Sequence, residues 1–103
     1  MAKLYVTEFQ YQGADLQGVA IPIGKQPAAV DQTPVVIGAG SLQSAAFAAS
    51  TCLVRIHTDA ICSIAFGTNP TATANTMRMG ANTTEYFSVL PNSSMKVAVI
   101  TNT

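Results

Sequence analysis

A strict alternation of side-chain types over residues 52–67 constrains the fold of this chain more than any other feature. In CLVRIHT every second residue is Cys, Val or Ile, and CSIAFG repeats the pattern after a break at Thr58-Asp59-Ala60. A period of two places alternate side chains on one face and is typical of half-buried β-strands. The run ends in the turn residues Gly-Thr-Asn-Pro at 67–70. These residues predict two strands joined as a hairpin.

Further strand-like segments are separated by turn signals at intervals of roughly 8–12 residues, a spacing typical of small all-β domains. Residues 84–90 and 95–101 predict a second hairpin around a turn that contains Pro91. The other strand-like segments are residues 3–12, 19–23 and 34–38. The predicted fold is therefore all-β, with a small β-sandwich, a jelly-roll-like fold or a partly open barrel as the possible architectures.

The first 33 residues differ in character from the rest of the chain. They contain a cluster of aromatic and glutamine residues between Tyr5 and Gln12, followed by Pro22 and Pro27. We expect residues 1–33 to form an extended N-terminal arm or edge strands, and residues 34–103 to form the β-sandwich of a single domain. Within that sandwich, SLQSAAFAAS at 41–50 predicts a strand, with one helical turn as the alternative.

The segment GTNPTATANTMRMGANTTE, residues 67–85, is rich in Thr, Ala and Asn and predicts a long loop or an irregular edge. A loop of this length in a small domain often serves as a contact surface. We expect subunit contacts in the arm and in this loop, through Tyr5, Phe9, Tyr11, Asn69, Pro70, Thr71, Thr73 and Arg78.

Charged residues are few and balanced. Five Lys or Arg face five Asp or Glu, so the net charge is zero and charged residues make up 10% of the chain, against about 25% in a typical soluble domain. No charge occurs in residues 32–54 or 60–77. This composition indicates neither a nucleic-acid partner nor an anionic membrane partner. A weakly charged surface favours association, so we expect other protein to cover much of it.

The uncharged run 32–54 is not a transmembrane span, because Pro34, two glycines and several polar residues interrupt it. The first ten residues, MAKLYVTEFQ, lack the apolar region of a signal peptide. Without secretion, Cys52 and Cys62 are expected to be reduced, buried thiols. Two cysteines and His57 do not have the spacing of a zinc site.

The stretch PVVIGAGSLQ resembles the start of a dinucleotide-binding unit, in which glycines bring the backbone close to a pyrophosphate. Gly38 and Gly40 fill the first two glycine positions, but Gln43 stands at the third, where its side chain obstructs close packing of helix on strand. We interpret the stretch as a strand that ends in a glycine turn, and we expect no cofactor.

Catalytic groups are equally sparse. His57, Asp59 and Ser63 have the residue types of a hydrolytic triad, but a triad also needs a cleft and an oxyanion hole. We interpret His57 and Asp59 as polar residues at the end of a hairpin, and we expect neither a catalytic site nor a metal site. Arg55 is expected to pair with Glu85 across neighbouring strands.

Two segments carry a resemblance to a known group of proteins. VRIHTDAICSIAFGTNPTATA at 54–74 and TEYFSVLPNSSMKVAVI at 84–100 resemble small structural proteins of tailed bacteriophages, as do MAKLYVTEF and SLQSAAF more loosely. The chain departs from the usual pattern at 92–95, Asn-Ser-Ser-Met, where a Pro-Gly turn is more common. This departure concerns the type of turn and leaves the expected fold unchanged.

The resemblance implies a virion protein without enzymatic activity. It favours a capsid cement or decoration protein that binds the outer shell as a homotrimer and ties subunits of the major capsid protein together. Such a protein is made in the host bacterial cytoplasm and acts on the capsid surface. The alternative within the same virion is a head–tail connector, neck or tail component. A carbohydrate-binding module, indicated only by Tyr11 and Tyr86, and a hydrolase built on His57 are the rival classes.

Overall fold

The computed structural model describes residues 1–103 and contains eleven β-strands and no helix, so no helix long and apolar enough to cross a membrane is present. The strands are β1 (Lys3–Phe9), β2 (Gln12–Ala14), β3 (Ala20–Gly24), β4 (Val30–Asp31), β5 (Val35–Val36), β6 (Leu42–Gln43), β7 (Leu53–Thr58), β8 (Cys62–Gly67), β9 (Met77–Met79), β10 (Thr83–Ser88) and β11 (Lys96–Thr101). They form two sheets and a separate two-stranded ribbon. The predicted all-β, sandwich-like class is confirmed, and the sheets do not close into a barrel.

The first sheet has five antiparallel strands in the order β10-β7-β1, with β4 and β5 both paired to the far edge of β1. Tyr5 lies opposite His57, and Val6 lies opposite Ile56. Side chains opposite one another share a face, so Val6 and Ile56 point inward while Tyr5 and His57 point outward. We refer to this outward surface as the open face.

The second sheet has four antiparallel strands in the order β6-β11-β8-β9. Its inward side chains, those of the first sheet and the loop residues Ile37, Phe47 and Val89 make up one core of thirteen buried apolar residues. The fully buried members include Leu4, Val54, Ile56, Ile64, Val97 and Val99. Burying an aliphatic side chain of this size contributes about 1.5–3 kcal/mol, so these alternating positions hold the two sheets together.

Both predicted hairpins are wrong. β7 pairs with β1 and β10 in the first sheet, whereas β8 pairs with β11 and β9 in the second. β10 and β11 also belong to different sheets, because β10 pairs with β7 in the first sheet and β11 pairs with β8 in the second. Alternation indicates only that one face of a strand is buried. Two strands that pair in one sheet and two strands that face each other across the core both show this pattern. Cys52 and Cys62 are both free thiols, but only Cys62 is buried as predicted, whereas Cys52 is half-buried.

The expected N-terminal arm differs from the structure at residues 3–9. They form β1, which is flanked on both sides by other strands and buries Leu4 and Val6 in the core. β1 is therefore neither an arm nor an edge strand. The part of the first 33 residues that stands apart from the sandwich is the ribbon, which we define as β2, β3 and the turn between them, residues 12–24.

Residues 68–76 form a strap over the outer surface of the second sheet. The Gln43 side chain donates to Pro70 O at 2.9 Å, and Ala72 N donates to Ser41 Oγ at 2.9 Å. Pro70 and Ala72 are buried against the sheet, while Thr71 and Thr73 face solvent. The strap explains why the outward Ala98 of β11 is fully buried. The predicted loop is present, but most of its length lies on the sheet.

Two shorter segments also bear on the sequence expectations. In residues 41–50 the only regular element is the short strand β6, and after it residues 48–51 form a single turn in which Thr51 N donates to Ala48 O at 3.1 Å. In the turn at 91–94, Asn92 has a φ of 59° and Ser94 has a φ of 54°. Asparagine is among the residues that best tolerate this left-handed region, so Asn92 can stand where glycine is more usual.

Candidate interaction surface

The tip of the ribbon is a turn organised by one carboxylate. Asp15 Oδ1 accepts hydrogen bonds from Gln17 N at 2.8 Å and Val19 N at 2.9 Å. Asp15 N donates to Val19 O at 2.9 Å, which closes the loop, and Gly18 has a φ of +81° that a side chain would disfavour. The sequence D-L-Q-G-V therefore makes an ordered tip that carries Leu16 at its end.

The ribbon exposes aliphatic side chains to solvent. Leu16 is fully exposed and Val19 is 61% exposed, and both lie in the turn. Ile21 and Ile23 follow on β3 with more than two-fifths of their surface accessible. No charged residue interrupts residues 16–24. A two-stranded ribbon alone is marginally stable in water, and contiguous apolar surface is typical of protein contacts, so this element is suited to being covered.

The base of the ribbon is anchored to the sandwich through Phe9. Phe9 lies opposite Leu53 on the outward side of β1, yet it is only 1% exposed. Gly24 covers it so closely that a Cβ at Gly24 would lie 2.4 Å from the Phe9 ring. Lys25 N also donates to Tyr11 O at 2.9 Å. Phe9, predicted as a subunit contact, is instead enclosed within its own chain, because the ribbon folds back over it.

A groove of about 500 Å³ lies between the ribbon and the end of the first sheet. The ribbon side contributes Pro22 with the neighbouring Tyr11, and the sheet side contributes Leu53, Ser88 and the partly exposed Cys52. Cys52 Sγ donates to Gln10 O at 3.1 Å. None of the residues that line the groove is charged, but Gln10, Gln12 and Ser88 make part of its lining polar.

The open face of the first sheet is polar and aromatic. His57 Nδ1 lies 2.8 Å from Thr84 Oγ1, and His57 Nε2 lies 3.9 Å from Asp59 Oδ1. The rings of His57 and Tyr5 are 6.0 Å apart between centroids. The structure brings His57 and Asp59 together, but Ser63 is buried in the second sheet and accepts a hydrogen bond from Asn102 Nδ2 at 2.6 Å. The three predicted triad residues therefore do not meet.

The predicted Arg55–Glu85 pair is wrong. Arg55 lies opposite Tyr86, whereas Glu85 lies opposite Ile56. Arg55 and Glu85 thus project from opposite faces of the sheet and form no ion pair. Counting residues along two strands does not determine their register, and a shift by one residue moves a side chain to the other face.

The Gly38-x-Gly40 turn leads into strand β6 and not into a helix. No helix N-terminus is therefore available there for a pyrophosphate. Elsewhere, no three His, Cys, Asp or Glu side chains cluster as metal ligands would. Burial raises the pKa of the Cys62 thiol, against a smaller opposing effect of its hydrogen bond to Thr58.

Glu8 is a buried carboxylate that joins three parts of the chain, although it is only 1% exposed. Its Oε1 accepts hydrogen bonds from Ala48 N at 2.8 Å and from Thr51 Oγ1 at 2.6 Å. Its Oε2 accepts one from Gln32 Nε2 at 2.7 Å. All of these donors belong to the protein's own framework, which makes the cluster a structural clamp.

The predicted contact residues lie on separate surfaces. Tyr5 is on the open face, Tyr11 is in the groove, and Arg78 is on β9, where its Nε donates to Thr103 O at 3.4 Å. Asn69, Thr71 and Thr73 lie on the solvent side of the strap, whereas Pro70 lies on its buried side, against the second sheet. Sequence reasoning missed the aliphatic residues of the ribbon. Their signal is the uncharged, apolar run LQGVAIPIG after Asp15.

Comparison of the chain with protein-family models, with curated proteins and with solved structures gives no match.

Proposed function

We propose that this chain is a structural protein of a tailed-bacteriophage virion, namely a cement or decoration protein that binds the outside of the capsid shell. It stabilises the shell by bridging neighbouring subunits of the major capsid protein and catalyses no reaction. The sequence resemblance over residues 54–74 and 84–100 supports the assignment to phage virions. The protein would be made in the bacterial cytoplasm and would act on the surface of the capsid.

The exposed ribbon is the observation that supports a role in assembly. An ordered tip presents Leu16, and an anchored base holds the ribbon against the sandwich through Phe9 and Gly24. Because the free ribbon is already ordered, binding costs little additional conformational entropy. An apolar element of this kind gains most when another protein covers it.

The remaining surfaces suit a protein that makes many weak contacts. The sandwich supplies a rigid body, and the solvent side of the strap offers hydroxyl and amide groups from Asn69, Thr71 and Thr73. Weak contacts that act together in one assembly add through effective concentration. The shell would thereby resist internal pressure from packaged DNA through binding energy alone.

The alternative is a connector, neck or tail component of the same virion. Such a protein would use the same ribbon and sandwich, but only a few copies would be present in each particle. The resemblance and the ribbon are common to both roles, so the number of copies per particle separates them.

Particles of the phage that encodes this chain, assembled without it, provide the test. Purified wild-type protein is added back, and bound protein and the temperature at which the shells open are measured. We expect binding and a higher opening temperature for the wild type. We expect about tenfold or weaker affinity for Leu16→Asp, since exposing one buried leucine costs at least about 1.5 kcal/mol.

The matched control is Leu90→Asp, the same substitution at a leucine that is 70% exposed and lies outside the ribbon. It should bind like the wild type. Failure of the wild-type protein to bind the particles would contradict the proposed function. If Leu16→Asp bound as tightly as the wild type, the ribbon would not be part of the contact with the capsid.

A further inference from the structure

We propose that the open face of the first sheet binds a saccharide that carries a single carboxylate, and that Arg55 holds the acidic group. The site is separate from the ribbon, so the inference goes beyond the proposed binding to the capsid. A depression of about 420 Å³ lies on this face, and it is lined by Tyr5, Thr7, Arg55, His57 and Asp59.

Arg55 lies at the centre of the open face, and its guanidinium has no partner. The residue lies opposite Thr7 of β1 on one side and opposite Tyr86 of β10 on the other. It is half-buried there, yet it forms no hydrogen bond, ion pair or contact with the face of an aromatic ring. The other arginine, Arg78, donates to Thr103 O at 3.4 Å. A planar guanidinium without an acceptor suits a carboxylate, which it can bind through two parallel hydrogen bonds.

The carboxylates on the same face do not pair with Arg55. Asp59 Oδ2 accepts a hydrogen bond from Lys3 N at 3.3 Å, and Asp59 Oδ1 lies 3.9 Å from His57 Nε2. Asp31 belongs to β4, which is two strands away from β7, or about 10 Å. Arg55 therefore leaves a positive charge unpaired at the centre of the open face, while the negative groups lie at its margins.

The balance of charge on this face indicates a ligand with one acidic group and not a polyanion. Lys3 and Arg55 lie on the same face as Asp31 and Asp59. A nucleic-acid backbone or an anionic membrane is bound by several cations that act together, and here its phosphates would also meet the two carboxylates. A ligand with one carboxylate among neutral groups gains the contact with Arg55 and avoids that repulsion.

The groups around Arg55 suit the neutral part of a sugar. Thr7 and Thr84 present hydroxyls, which can both donate and accept hydrogen bonds. Tyr5 is 39% exposed and Tyr86 is 44% exposed, and the register places them about 12 Å apart on opposite sides of β7. The negative face of an aromatic ring attracts the C–H groups of a sugar ring. An acidic peptide offers fewer hydroxyls and no such flat C–H surface, so the site favours a short acidic oligosaccharide.

Two acidic oligosaccharides, each with a neutral counterpart, test the inference on the whole chain. Glucuronosyl-xylotriose is compared with xylotetraose, and sialyllactose is compared with lactose, by isothermal titration calorimetry. We expect an acidic probe to bind at millimolar concentration or below, and its neutral counterpart to bind about tenfold more weakly or less, because charge-assisted hydrogen bonds add about that factor. Absence of binding by both acidic probes at millimolar concentration would overturn the inference, and so would equal affinity for an acidic probe and its neutral counterpart.

Variants at Arg55 test which residue holds the acidic group. Arg55→Gln should bind the acidic probe about tenfold more weakly, with unchanged far-ultraviolet circular dichroism, because Arg55 points away from the core. Arg55→Lys keeps the charge but loses the planar guanidinium, so its affinity should lie between the two. Arg78→Gln, on β9 of the second sheet, is the matched control and should bind like the wild type. Equal affinities of Arg55→Gln and Arg78→Gln would overturn the inference.

Two further measurements separate the saccharide from other partners. A peptide of glycines around one glutamate is titrated in the same way, and affinity equal to that of the acidic probes would overturn the saccharide as the ligand. Arg55→Gln should still bind capsid particles like the wild type. If it lost that binding and no saccharide bound, the open face would be a contact with the capsid, and this inference alone would fail. Saccharide binding by a chain that never binds particles would contradict only the proposed function.

Discussion

Glu8 occupies an inward position of β1, on the same face as Leu4 and Val6. The alternation in KLYVTEF marks that position as inward, but the donors that make a buried carboxylate tolerable come from residues 32, 48 and 51. A charge removed from water is stable only when hydrogen bonds replace its hydration. The sequence thus predicts where Glu8 points, and only the fold reveals what holds it.

Replacing this carboxylate is expected to be strongly destabilising. In Glu8→Ala the Thr51 hydroxyl and the backbone N–H of Ala48 lose their acceptor, and Gln32 Nε2 keeps only its bond to Ala45 O. We expect a loss of roughly 3 kcal/mol or more in the free energy of unfolding, since each buried unsatisfied donor costs about 1–3 kcal/mol. Chemical denaturation of the wild type and the variant measures it.

The control for this substitution is Glu85→Ala. Glu85 is exposed on β10 and makes no hydrogen bond or ion pair, so its removal should change stability by less than about 0.5 kcal/mol. Equal effects of the two substitutions would contradict the structural role of Glu8.

The two cysteines are expected to differ in reactivity. Burial raises the pKa of Cys62, so the folded chain retains this thiol proton at a pH where the unfolded chain has begun to lose it. The Cys62 contribution to stability is therefore constant at neutral pH, and it falls as the pH rises above the unfolded-state pKa. Mass spectrometry after alkylation should show Cys62 reacting only as fast as the chain unfolds, with Cys52 reacting sooner. Equal native rates would contradict this account.

At the scale of the elements, β7 and β8 illustrate what alternation does and does not determine. The inward positions of β7, Val54 and Ile56, and the inward Ile64 of β8 follow directly from the period of two. The period of two does not determine the sheet to which each strand belongs, because the link at residues 59–61 crosses from one sheet to the other. Strand partners depend on contacts that are distant in the sequence, and neighbouring strands in a sandwich often cross between its sheets.

The position of the ribbon likewise could not be predicted from the sequence. Its turn is readable from Asp15 and Gly18, but its position over Phe9 is not, because the packing of Gly24 on that ring depends on how the chain returns to the sandwich. The strap is a similar case. Its composition predicts a loop, while the burial of Pro70 and Ala72 arises from contacts with the second sheet.

The anchoring of the ribbon can be tested at Gly24. A Cβ there would lie 2.4 Å from the Phe9 ring, so Gly24→Ala must displace either the ring or β3. We expect a loss of roughly 1–3 kcal/mol, the usual cost of overpacking a buried contact, together with faster amide exchange in residues 12–24. Denaturation and hydrogen exchange measure the two effects.

Gly40→Ala is the matched control, because a Cβ at Gly40 would meet nothing within 4 Å. It should leave both stability and exchange in the ribbon unchanged. A Gly24→Ala protein with wild-type exchange in the ribbon would show that this contact does not hold the base.

At the scale of the whole molecule, the low charge and the exposed apolar surface both favour association with other protein. Charged residues make up 10% of the chain with no net charge, so electrostatic repulsion between copies is weak. Four exposed aliphatic side chains, Leu16, Val19, Ile21 and Ile23, lie together in the ribbon, whereas the other exposed apolar side chains are distributed over the rest of the molecule. Composition alone predicts a protein that is covered by other protein, and the structure adds which element has most to gain from that cover.

The number of copies of this chain in purified virions, relative to the major capsid protein, tests the proposed function most directly. Quantitative mass spectrometry with isotope-labelled peptides of both proteins gives the ratio. A cement or decoration protein should be present at a ratio comparable to that of the shell subunits. A few copies per particle would support the connector, neck or tail alternative, and absence of the chain from intact particles would contradict a structural role in the virion.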